Sequence, residues 1–133
     1  MAISGHRQQR TAPPAARAGA SAVVAKALSR ASKKLQISQS SVAAIIGVSP
    51  SKVTRVFKGQ SELSVIGKEG QLALLFLRVF RSLDTVVGGD EQALRSWFHG
   101  KNAHLGGVPS KLVESPQGLV NVADYLDAMR GTL

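Results

Sequence analysis

The chain has no cysteine, so disulfides and thiolate metal sites are excluded, and a reducing compartment is compatible with it. It also has no apolar run near the roughly 20 residues that span a bilayer, and its N-terminus lacks the apolar stretch of a secretory signal. A soluble, cytoplasmic protein with no membrane association is therefore expected. Histidine is scarce: His6, His99 and His104 fall in a tail, at a helix end and in a loop, and no two share the i, i+4 spacing of helical metal ligands. With eight carboxylates and no phosphate-cradling glycine loop after a strand, little remains for catalysis. No enzyme, metal site or cofactor is expected.

One further absence is positional. Residues 1–60 hold ten basic side chains (Arg7, Arg10, Arg17, Lys26, Arg30, Lys33, Lys34, Lys52, Arg55 and Lys58) and no acidic one. Residues 61–133 hold seven basic and eight acidic side chains, so the formal net charge of +9 divides into +10 and −1. Cations facing phosphates displace condensed counterions and give affinity for nucleic acid of any sequence. The first half is suited to a polyanion and the second is not.

What is present is mostly apolar: 44% of the 133 residues are hydrophobic and 19% charged, the composition of a packed body. Periodicity gives an all-α fold. Residues 1–20, with Pro13-Pro14 and no apolar period, are expected to form a flexible basic arm. Between Ser21 and Gln36, Val24, Ala27, Leu28, Ala31 and Leu35 fall at helical spacing. The glycine-containing stretch Gly59–Gly70 reads as a connection. The expected division is therefore a helix-turn-helix unit over 21–62 and a second helical unit over 63–133.

From Gln71 to Val87 one apolar face is marked by Leu72, Leu75, Phe76, Val79, Leu83 and Val86, and Leu74 and Leu77 point elsewhere. A helix apolar on more than one side is central to its domain or shared with a partner, and a shared interface is the expectation. Asp90 is placed to cap a helix whose buried stripe is Leu94, Trp97 and Phe98. A loop follows over Asn102–Pro109. Ser115 caps a last helix with Pro116 at its first position and Val122, Leu126 and Met129 along it.

The strongest local pattern lies between Gln39 and Val56. Two short helices that cross steeply need a small residue at the contact, supplied by Ala43, and a turn residue tolerant of positive φ, supplied by Gly47. Val42, Ile46, Val48, Val53 and Val56 provide the core behind them. Ser49 and Pro50 start the second helix, leaving its N-terminus free to face a major groove. The candidate DNA-contacting residues are Gln39, Ser49, Ser51, Lys52, Thr54, Arg55 and Lys58, with Lys52 and Arg55 projecting outward to bases or phosphates. Proteins of this type pair to read two half-sites, so a homodimer or a higher even assembly is expected on operator DNA.

Once the helix-turn-helix is placed, the C-terminal half resembles the toxin-binding domain of the Xre/MbcA/ParS antitoxins. Ala93, Trp97, Phe98, Asn102, Leu105-Gly106-Gly107, Pro109, Leu112, Gly118, Val122, Leu126 and Gly131 carry the resemblance. It implies a type II antitoxin that blocks the active site of a RES-type, NAD-depleting toxin and represses its own operon. It further implies a toxin-facing surface made of Asn102, Leu105, Gly106, Gly107, Tyr125, Asp127, Arg130 and Leu133. Arg130 and the Leu133 carboxylate are the expected plugs, and Asp127 an acidic group able to occupy cofactor-binding cations. Trp97, Leu105, Leu112 and Leu126 are expected in the core. The alternative is a plain helix-turn-helix regulator whose C-terminal half only dimerises.

Overall fold

The computed structural model describes residues 14–132, and over them the chain is all-α. Seven helices follow in order among the described residues: α1 (Pro14–Leu35), α2 (Gln39–Ile46), α3 (Pro50–Phe57), α4 (Lys68–Val86), α5 (Glu91–His99), α6 (Pro109–Leu112) and α7 (Pro116–Arg130). The N-terminal helix-turn-helix is followed by a C-terminal helical unit, and one apolar cluster runs through both. No helix among the described residues is long and apolar enough to cross a membrane.

Short polar side chains start most of these helices. Ser38, Ser49, Asp90 and Ser115 each accept hydrogen bonds from backbone N–H groups of the turn they precede. Those amides have no partner within the helix, so the caps satisfy donors that would otherwise be orphaned. Pro50 and Pro116 fill first-turn positions where no N–H is needed.

α4 lies at the centre. It packs most extensively on α7 and also meets α1, α2 and α5. Its residues Ala73, Phe76, Leu77, Val79 and Leu83 are buried, and Phe76 meets Phe98 edge to face at 6.5 Å. The two-sided apolar pattern is thus explained largely within the chain: Leu77 joins the core, whereas Leu74 stays 46% exposed.

A second tie joins the N- and C-terminal parts. Arg95 Nε donates to Lys34 O at 2.8 Å, and His99 Nε2 lies 2.6 Å from Leu35 O. A carbonyl only accepts, so this nitrogen carries the proton. Two side chains one turn apart on α5 therefore cap the last carbonyls of α1, which intrahelical bonding leaves open.

Several boundaries differ from expectation. α1 begins at Pro14, not Ser21, so the last part of the supposed arm is helical and exposed, while residues 1–13 lie outside the described residues. These added turns are rich in alanine, which favours a helix without an apolar period. α4 begins at Lys68, so Gly70 belongs to its first turn instead of the connection. There it is buried, and a Cβ would lie 2.2 Å from Ser64 O and 2.3 Å from Val65 O, so the helix meets the preceding loop only where a side chain is missing. The short α6 was unforeseen, since four residues are too few to show a period.

Gly70→Ala should destabilise the fold by about 1–3 kcal/mol through overpacking against backbone. In contrast Gly19→Ala, on α1 with nothing within 4 Å of the added carbon, should stabilise it by about 0.5–1 kcal/mol. Denaturant melts of the two variants measure both signs.

Candidate functional site

The helix-turn-helix is built from α2 and α3, with Val42, Ala43, Ile45, Ile46, Val53 and Val56 buried between them and the rest of the core and Val48 half-buried. Gly47 takes φ 76° in the turn, where a β-carbon is disfavoured, and its N–H closes α2 by donating to Ala43 O at 2.9 Å. Ser49 Oγ accepts from Lys52 N at 3.1 Å, so its hydroxyl proton remains free to donate outward. Thr54 Oγ1 donates to Gln39 Oε1 at 2.6 Å. That bond locks the start of α2 to the exposed side of α3 and brings two of the expected contact residues together.

The basic residues on α3 divide into two kinds. The Arg55 and Lys58 side chains are exposed and make no hydrogen bond or ion pair among the described residues, and Ser51 is exposed beside them. Lys52 does not project freely as the sequence suggests. It is half-buried, and its Nζ donates to Ser61 Oγ and to Glu62 O, each at 2.8 Å. In this position its charge stitches α3 to the loop that follows it.

In the C-terminal part, the loop after α5 is closed on itself around Asn102. Asn102 N donates to Gly107 O at 2.8 Å, Gly106 N donates back to Asn102 O at 2.9 Å, and Leu105 N donates to Asn102 Oδ1 at 3.0 Å. Gly106 stands at φ 78° within this turn. Leu105 is half-buried and Leu112 packs partly against the core. Neither is sealed off, whereas Leu126 is.

The residues expected on α7 do not share one surface. Tyr125 stacks near Trp97, with ring centroids 6.3 Å apart, and near His104 at 6.0 Å, which joins α7 to the loop. Asp127, two residues later and so about 200° around the helix, faces α4. It pairs with Arg78 and accepts from Ser82 Oγ at 3.3 Å. Arg130 Nη1 donates to the same Ser82 Oγ at 3.1 Å, and Arg130 lines a groove of roughly 730 Å³ with Leu74, Arg78, Arg81 and Asp84. Leu133 lies outside the described residues. Trp97 is half-buried instead of sealed in the core, and with His104 it belongs to a ring cluster that no local spacing announces.

Two family models match the chain. An antitoxin Xre-like helix-turn-helix domain covers residues 14–78, and the antitoxin Xre/MbcA/ParS C-terminal toxin-binding domain covers residues 82–131. The first holds α1, α2, α3 and the opening of α4, and the second holds the end of α4, the closed loop and α7. No curated protein matches the chain. Both matched domains bind and regulate and carry out no reaction, so the chain is not an enzyme. An Xre-like helix-turn-helix domain followed by this toxin-binding domain is the make-up of a DNA-binding antitoxin, and the chain belongs to the Xre/MbcA/ParS antitoxins.

Proposed function

We propose that this antitoxin neutralises a RES-type toxin by covering its active site with the C-terminal part, over 63–133, and represses its own operon through the helix-turn-helix unit, over 21–62. The observation that carries the reading is the exposed α3 face, where Ser51, Arg55 and Lys58 stand clear and Gln39 and Thr54 are locked beside them. Arg55 is suited to a guanine edge, because its planar fork can donate two parallel hydrogen bonds, and Lys58 to phosphate. Lys52 acts behind them by holding the end of the unit in place. Two copies then read paired half-sites about one helical turn apart.

For the toxin, the proposed surface is the closed loop with Asn102, Leu105, Gly106 and Gly107, together with Tyr125 and the terminal residues through Leu133. A loop already closed by its own hydrogen bonds loses little freedom on binding, and half-buried rings provide apolar area with few rotatable bonds. Asp127 serves this surface indirectly, by anchoring α7 on α4 through Arg78. Arg130 keeps donors to spare beyond its bond to Ser82. The RES class of the partner and the plugging of its active site rest on the family resemblance, and the even assembly on the pairing habit of helix-turn-helix proteins.

On a duplex taken from the upstream promoter, Arg55→Ala should weaken binding by about 1–3 kcal/mol and relax preference at one base position. Lys52→Ala should instead lower unfolding free energy by about 1 kcal/mol, with any loss of DNA affinity following from that. Gel-shift titrations read the first and urea melts the second. Full DNA binding by both variants would remove α3 as the reading helix. Co-expressed with the product of the adjacent reading frame, the intact chain should co-purify with it and protect the cell, whereas removal of Gly131–Leu133 should weaken protection. A harmless neighbour that does not co-purify would defeat the toxin reading, and undiminished protection by the shortened chain would defeat the plug.

A further inference from the structure

We infer that α1 carries a second DNA-backbone contact surface, made of Lys26, Arg30 and Lys33, that extends the reading surface of α3 along the flank of the molecule. The inference rests on the DNA-binding reading of α3 and adds to it side chains that lie outside the α2–turn–α3 pair. These three cations stand at i, i+4 and i+7, which places them on one face of α1 over roughly 10 Å of helix. All three are exposed, and none of their side chains makes a hydrogen bond or ion pair among the described residues.

Their position joins them to α3. Lys26, Arg30 and Lys33 line a cleft of about 380 Å³ whose far wall is Val56, Phe57 and Gly59 at the end of α3. Lys33 and Phe57 also line the adjoining cleft of about 340 Å³, together with Gln39, Thr54 and Lys58. The α1 cations and the proposed contact residues Gln39, Thr54 and Lys58 therefore border one continuous surface. Both clefts are open to solvent, and Lys26, Arg30, Lys33 and Lys58 stand along their rims, where a charged strand could pass.

The fold gives only part of a reason for these charges. Lys33 sits in the last turn of α1, where a cation complements the helix dipole. Lys26 and Arg30 lie in the interior of the helix, and like charges one turn apart repel. No carboxylate occurs in residues 1–60 to relieve them. Long flexible side chains with unpaired charge and no fixed partner recognise phosphates, not base edges, so the surface should add affinity without sequence preference.

The test is the salt dependence of duplex binding by the full chain, measured on the upstream promoter fragment and on a random-sequence duplex of equal length. Replacing all three side chains (Lys26→Gln, Arg30→Gln and Lys33→Gln) should lower the slope of log affinity against log salt by about 0.9 per lost contact, roughly 2.7 in all. The fall should be alike on both duplexes. The companion variant Lys26→Arg with Lys33→Arg, which keeps the charge, should retain the wild-type slope, and Lys111→Gln on α6 should leave it unchanged. A fall of less than half the expected size overturns the inference, as does loss of toxin co-purification with an intact slope, which would turn this face toward protein. If the unaltered chain binds neither duplex, the reading of α3 fails first and this one with it.

Discussion

Burial of α4 on more than one side is the constraint from which the rest of the molecule follows. A helix that presents Ala73, Phe76, Leu77, Val79 and Leu83 to neighbours on different flanks cannot be stable alone, and water is excluded only when α1, α2, α5 and α7 close around it. The helix-turn-helix and the toxin-binding domain are both supported by this one rod. The close passage of Gly70 under the loop at Ser64 and Val65 sets where the rod begins, and so where the loop tethered by Lys52 lies.

Electrostatics are divided in space as they are in sequence. The part with no carboxylate holds Lys26, Arg30, Lys33, Arg55 and Lys58 on exposed faces of α1 and α3, whereas the part of balanced charge commits Arg78 and Arg95 to Asp127 and Glu91. Exposed pairs of that kind contribute little stability in water, but they fix side-chain direction. Asp127 in particular turns one side of α7 toward α4 and leaves Tyr125 on the other side, toward the loop.

Legibility in the sequence followed the range of the interaction. Caps at Ser49, Asp90 and Ser115, the turn at Gly47 and the apolar faces of α2 and α3 are set by residues within a turn or two of one another, and each could be read directly. The family resemblance named the same C-terminal segment that the family models cover. Lys52 was less legible, because spacing says which face a side chain occupies and not whether a later loop returns to meet it. Trp97, His104 and Tyr125 come from three separate elements, so their meeting is a tertiary event without local periodicity. Asp127 and Tyr125 looked alike as neighbours on one terminal segment, yet helical rotation sends them to opposite surroundings.

The two side chains of α5 that close the end of α1 have a mechanical consequence. A hinge between the duplex-binding part and the toxin-binding part would have to break the bonds from Arg95 and His99 to the last carbonyls of α1 as well as part the core. The molecule is accordingly a stiff bracket, not two beads on a string. A toxin held at one end therefore keeps a set bearing relative to DNA held at the other, so that turning the one turns the other.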